Sequence, residues 1–186
     1  MGNRQLVSVD QTYRNSSRLD FFQPLLMGKK VLHVGFVDWP KKISADKTLH
    51  LVIAPWCARL DGIDPDVEQA EKLRVPNGDI FSSWDQVPND YDIILVPEVI
   101  EHVGNVADFF ATLNNYAGTL IVTAPDAYLL QKNFEETING FSELVHADHN
   151  CWYSPYTLKN TINKFSSKKV LSLHWLDNSI IAAICV

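Results

Sequence analysis

Carboxylates and imidazoles that can do chemistry gather at four places in this sequence. Asp64 follows the expected strand Arg59 to Ile63, Asp79 follows Gly78, and Glu98, Glu101 and His102 follow the apolar run Ile93 to Val96. The fourth place is His146-Ala147-Asp148-His149, with Trp152, Tyr153 and Tyr156 close behind. Two imidazoles flanking an acid can take a proton from a hydroxyl near neutral pH, and the rings after them can wall a pocket or stack on a sugar ring. The same side chains, with His102, are metal-ligand types and would suit a metal-dependent hydrolase. The H-x-D-H spacing is no recognised zinc pattern, however, and no metal is expected. Each group also has a plainer use. Acids near helix starts are satisfied by backbone amides, His102 can be a surface imidazole, and His146 and His149 can brace a loop by hydrogen bonds.

The elements that must position these groups alternate between β-rich and helical patterns, the sequence form of a mostly parallel sheet covered on both faces. Leu19, Phe22, Leu25 and Leu26 predict a short docking helix, interrupted by Pro24 and closed by Gly28. Lys30 to Gly35 is a brief β-rich run. Ser44 or Asp46 then caps a helix with Leu49, Ile53 and Trp56 on one face, which Pro55 ends or kinks. A strand over Arg59 to Ile63 leads to a helix whose buried stripe is Val67, Ala70 and Leu73, with Glu68 and Lys72 paired one turn apart. Asp92 to Val96 is apolar after its first residue, as a central strand buried on both faces should be. Val103, Val106, Phe110 and Leu113 recur at helical spacing. Thr119 to Thr123 predicts a further strand stopping at Pro125, followed by a helix with Leu130, Phe134 and Ile138 until Gly140. Ser154-Pro155 is a helix start, with Leu158, Ile162 and Phe165 facing inward. Two closing β-rich runs, Val170 to Leu176 and Ser179 to Val186, flank Asp177-Asn178 and predict an antiparallel hairpin.

This is a doubly wound α/β chain, expected to be one domain over residues 1–186 with residues 1–28 as an N-terminal docking segment. In such sheets a ligand sits beyond the carboxyl ends of the central strands, where the strand order reverses. That points to Gly35 to Asp38, Asp64 to Asp66, Asp79 to Ser82 and Pro97 to His102.

In order and spacing, those segments resemble the motifs of the class I SAM-dependent methyltransferases, of the type 11 or type 12 kind, from about residue 29 to the C-terminus. Tyr91 to Val103, reading YDIILVPEVIEHV, is the most specific piece. Leu60 to Asp64 resembles the second strand with its terminal acid, Asn77 to Ile80 the third motif, Gly118 to Pro125 the fifth strand, and the closing hairpin the sixth and seventh strands. The resemblance implies a Rossmann-like sheet of seven strands with a C-terminal antiparallel hairpin, and S-adenosylmethionine as cofactor. It implies that Asp64 accepts both ribose hydroxyls, that Asp79 takes the adenine amino group while Ile80 packs on the base, and that Pro97 and Glu98 lie near the methionine part. In the first motif, where the family has an acid and three glycines, this chain reads His33-Val34-Gly35-Phe36-Val37-Asp38-Trp39. Of that motif only Gly35 remains: His33 takes the acid's place, and Val37 and Trp39 take those of the later glycines. Gly35 and Phe36 are expected to contact the cofactor, and Asp38 is placed to recover the missing acid's contact to the methionine ammonium. For methyl transfer, His149 is expected as the base, His146 as its brace, and Asp148 or Glu101 as the group that orients it. The segment around them is similar to one in small methyltransferases acting on sugars or lipid-linked glycans, so a small-molecule, sugar or glycan acceptor is expected. The altered first motif also leaves open a methyltransferase-like binding or scaffold protein without turnover.

Composition bounds the partners. Sixteen Lys and Arg against 22 Asp and Glu give a net charge of -6, and no basic run tracks a phosphate backbone, so large nucleic acids are not expected. No apolar run reaches the roughly 20 residues of a membrane span. The three cysteines, Cys57, Cys151 and Cys185, form no CxxC pair and suit a reducing cytoplasm.

Overall fold

The computed structural model describes residues 5–37, 47–129, 134–137, 140–143 and 145–186. The central sheet is built from β1 (Lys30–Val34), β2 (Arg59–Ile63), β3 (Ile80–Phe81), β4 (Ile93–Pro97), β5 (Thr119–Pro125), β8 (Val170–Leu176) and β9 (Ile180–Cys185). A separate hairpin joins β6 (Phe134–Thr137) to β7 (Gly140–Glu143). The seven strands run in the order β3-β2-β1-β4-β5-β9-β8, parallel from β3 through β5, with β9 antiparallel to both its neighbours. The expected doubly wound, Rossmann-like sheet with a C-terminal antiparallel hairpin is therefore present. Its strand order reverses between β1 and β4, so the loops after these two strands border one crevice.

Alternation along the strands assigns the two faces. Leu32, Ile94, Val96 and Leu120 pack on one side with Phe110 and Leu113 of α4 (Val106–Leu113) and Leu158 and Ile162 of α5 (Pro155–Phe165). Val31, Ile93, Leu95 and Ile121 pack on the other with Phe21, Phe22 and Leu26 of α1 (Arg18–Leu26) and Leu49 and Ile53 of α2 (Leu49–Ile53). Both faces of the central strands are covered, which is why they read as continuous apolar runs. The closing hairpin turns on Asp177 and Asn178, whose φ angles of 52° and 50° match the two left-handed positions of a type I′ turn. α5 begins with the expected cap: the Ser154 hydroxyl accepts from Thr157 N, the Thr157 hydroxyl accepts from Ser154 N, and Pro155 opens the first turn.

Several local expectations change. The helix expected around Phe134 is the β6–β7 hairpin, paired from Phe134 with Glu143 to Thr137 with Gly140; Leu130 and Ile138 lie outside the described residues. The sequence carries Asn139-Gly140 there, a turn dipeptide that outweighs a helical spacing of three apolar residues. Thr48 occupies the cap position of α2, while Ser44 and Asp46 lie outside the described residues; Pro55 ends that helix in a short 3₁₀ turn, Ala54–Trp56. In α3 (Val67–Glu71) Ala70 is buried, as is Leu73 after it, but Val67 is exposed because it stands at the first turn, beyond the core edge. α4 starts only at Val106, capped by the Asn105 side chain, so Glu101 and His102 belong to the turn before it rather than to a helix start. Among the described residues no helix is long and apolar enough to cross a membrane.

Candidate active site

At the reversal of strand order lies a cavity of about 430 Å³, lined from β1 and β2 by Gly35, Val37, Asp64 and Pro65 and from β4 by Pro97, Glu98 and Val99. The rest of its lining comprises Glu101, His102, His146, Asp148 and His149, with Pro125 from the end of β5. This volume falls within the range of pockets for small ligands and cofactors.

The crevice side rests on a close approach of the Gly35 backbone to the Val99 side chain. Gly35 has φ 64°, and a Cβ there would stand 2.5 Å from Val99 Cγ2, so only glycine lets the β1 loop pass the β4 loop. Opposite it Glu98 is held at φ 53°, an uncommon conformation for a residue with a side chain, and its carboxylate accepts from Arg18 Nη1 of α1 at 2.7 Å. Asp64, directly after β2, is 6% exposed. Its Oδ2 accepts from Val37 N at 3.0 Å and its Oδ1 from Asp66 N at 2.9 Å. Each carboxylate oxygen can accept a second bond, so the backbone role and a ligand role are compatible.

The far wall is imidazole-rich. His102 and His149 have ring centroids 4.7 Å apart, and His146 lies 5.6 Å from the first and 5.5 Å from the second. One ring nitrogen from each falls within 4.8 Å of the others. Asn150 ties the two stretches together: its amide donates to Glu101 O and its side chain to His102 O, each at 2.7 Å. His146 braces its own loop, its Nδ1 accepting from Asp148 N and its carbonyl from His149 N. Burial and then the neighbouring imidazoles lower the pKa of His102 and His149, which leaves them neutral and able to accept protons at pH 7. Glu101 is 1% exposed and neither carboxyl oxygen has a partner among the described residues. Burial pushes its pKa up to about 8, so near neutrality it is a protonated acid, unable to cap a helix as a carboxylate would.

Behind β1, His33 stands where the family pattern has an acid. His33 Nδ1 lies 3.1 Å from His50 Nδ1, and both rings are buried. Desolvation holds His33 well below its usual pKa and lowers His50 to about 4, so the pair is neutral.

The cavity thus collects Gly35, Asp64, Pro97 and Glu98 with His146, His149 and Glu101, from four stretches of chain. Other expected residues stand elsewhere. Asp38 lies outside the described residues. Phe36 turns inward, 2% exposed, and packs over Gly62 with Ala70 and Leu73, because Gly62 offers no side chain to keep the ring out. Asp79 and Ile80 do not line the cavity. The register pairs Ile80 with Gly62, so Asp79 sits level with Asp61, toward the amino end of the sheet, where Arg59 Nη2 donates to it at 2.6 Å. The aromatic wall is also absent from the cavity: Tyr153 is buried in the core, Tyr156 is exposed on α5, and Trp152 meets His149 only edge-on at 6.0 Å. Val37, Pro65 and Val99 line the cavity from within the stretches marked by the strand ends, and Pro125, the last residue of β5, lines it from outside them.

No family model matches this chain, and no curated protein matches it. Solved structures do match. A SAM-dependent methyltransferase from Aquifex aeolicus superposes with a TM-score of 0.61 at 14% identity, covering 90% of this chain and 87% of its own. One from Mesorhizobium loti gives 0.60 at 10% identity, covering 90% and 95%. The N-methyltransferase NodS from Bradyrhizobium japonicum gives 0.57 at 14% identity, covering 90% and 91%. The fold is that of the class I methyltransferases.

Proposed function

We propose that this chain binds S-adenosylmethionine in the switch-point cavity and transfers its methyl group to a small acceptor that enters against the imidazole wall. The observation that carries this reading is the make-up of one cavity: glycine and acids from the β1, β2 and β4 ends share it with three imidazoles. Asp64, directly after β2 at the switch point, takes the ribose hydroxyls. Glu98 and Pro97 border the methionine end. The sulfonium is already an electrophile, so the protein must align an acceptor atom with the methyl carbon, exclude water and accept a proton. His149 is the proton acceptor, His146 holds the loop, and Glu101, protonated near neutrality, adds no charge beside them. A sugar-type or other small hydroxyl acceptor suits a neutral imidazole base.

The test is calorimetry with S-adenosylmethionine and with its demethylated product, on the wild type and on Asp64→Ala. Binding of both ligands by the wild type, weakened in the variant, supports the reading; no binding of either defeats it.

A second reading, a methyltransferase-like binding protein without turnover, draws on Val37. This residue stands where the family pattern has glycine, and its amide already occupies Asp64 Oδ2. Tight cofactor binding without methylation of any sugar, lipid-linked or small hydroxyl acceptor would favour it.

A further inference from the structure

His102 and the pair His146 and His149 come from separate stretches of chain, yet all three side chains border the same cavity, with one nitrogen of each within 4.8 Å of the others. The rings do not bond to one another. They meet edge-on at 82° for His102 with His149 and at 78° for His102 with His146. His149 Nδ1 is buried without a partner among the described residues, as are both carboxyl oxygens of the adjacent Glu101. Buried polar atoms are ordinarily bonded, so an unpartnered buried nitrogen beside two further imidazoles calls for a ligand that accepts lone pairs. A metal ion is such a ligand.

We propose that His102, His146 and His149 hold one divalent transition-metal ion, zinc foremost, with its open position facing the cavity, where it takes a hydroxyl oxygen of the methyl acceptor. The ion site stands on the three imidazoles alone, whereas the role given to the open position rests on the methyl-transfer reading.

Neutral imidazole is a common ligand for zinc and its first-row neighbours, and three histidines leave a fourth position for an exogenous oxygen. Tetrahedral zinc, with bonds of about 2.0 to 2.1 Å, needs nitrogens about 3.4 Å apart, so the triangle must close by up to about 1.4 Å. His102 and His146 are exposed, and their rings can rotate inward without disturbing the core. His146 Nδ1 now accepts a long 3.3 Å bond from Asp148 N. Ligation through its other nitrogen moves the proton to Nδ1 and gives up that weak bond. A hydroxyl bound to the ion loses its proton to solvent water more readily than a free one. Its oxygen then forms the new bond to the methyl carbon as the carbon–sulfur bond breaks and the electron pair goes to sulfur. The ion takes over from His149 the task of making the oxygen nucleophilic, and the preferred acceptor becomes an oxygen nucleophile rather than an amine.

The experiment begins with full-length protein stripped by EDTA. It is dialysed against zinc chloride and its metal content measured, then titrated with cobalt(II) while visible absorption is followed. The expected result is one ion per chain and intense d–d bands of low-coordinate cobalt, with at least tenfold weaker binding in His102→Ala and in His149→Ala. Circular dichroism checks both variants, and His102→Gln, at an exposed turn, replaces any that does not fold. Calorimetry of S-adenosylmethionine runs on the same stripped protein. Absence of stoichiometric zinc, or equal affinity in the variants, overturns the site even where S-adenosylmethionine binds. Zinc that binds and is lost in the variants, in a protein that ignores S-adenosylmethionine, sustains the site and overturns the methyl-transfer role.

Discussion

His33 of β1 and His50 of α2 bring their Nδ1 atoms to 3.1 Å inside the core, so one imidazole donates, the other accepts, and neither carries charge. The pair makes stability depend on pH in a definite direction. The unfolded chain binds protons at histidine below about 6.5, whereas His50 in the fold binds one only near pH 4. Between those values the unfolded state holds more protons, so stability is full above pH 6.5 and falls as pH drops. His50 alone accounts for about 2 kcal/mol between pH 7 and pH 5, and His33 adds in the same direction. Thermal melts should show a lower Tm at pH 5 than at pH 7, and His50→Gln, which keeps a hydrogen-bonding group, should shrink the difference. Equal sensitivity in that variant would rule out the pair as its source.

Asp64→Ala should weaken S-adenosylmethionine binding by about 1.5 to 3 kcal/mol, the loss of a charged acceptor from two hydroxyls. Because the carboxylate also accepts from Val37 N and Asp66 N, the variant loosens the loop as well. Asp64→Asn retains one acceptor oxygen and should fall between the two. Unchanged calorimetric affinity in both folded variants would remove the ribose from this residue.

Gly35→Ala combines a left-handed backbone at φ 64° with a Cβ 2.5 Å from Val99 Cγ2. The expected cost is about 1 to 3 kcal/mol in denaturant unfolding, together with loss of cofactor affinity. Adding Val99→Ala removes the clash but not the backbone strain, so the double variant should regain part of the stability. A Gly35→Ala protein as stable as the wild type would show that the β1 and β4 loops do not meet this closely.

His149→Ala should lower turnover about 10²-fold or more while leaving S-adenosylmethionine affinity nearly intact, since in the methyl-transfer reading the imidazole faces the acceptor and not the ribose. Single-turnover rates on a methylated acceptor, set beside calorimetry, separate the two effects. Full turnover in this variant would mean that alignment alone drives the transfer.

The sequence by itself determined the elements whose signals are local. Two residues suited to left-handed φ, Asp177 and Asn178, specified the closing hairpin, and Ser154-Pro155 specified the start of α5. The apolar run Ile93–Pro97 announced a strand covered on both faces, and the acid after Ile63 announced a polar group at the sheet's carboxyl edge. Where pairing between distant residues decided the outcome, local patterns did not suffice. Phe134 fits a helical spacing as well as a strand, and only its pairing with Glu143 makes it β. Asp79 follows a glycine as a loop acid might, but the register of Ile80 against Gly62 sets it level with Asp61, short of the carboxyl edge, where it pairs with Arg59. Phe36 looked like a cofactor contact until the absence of a side chain on Gly62 gave its ring a place in the core. The imidazole triangle depended on tertiary structure most of all. His102 and His149 are far apart along the chain and share no motif, and it is the return of the segment before α5 across the carboxyl edge of β4, fastened by Asn150, that brings their rings together.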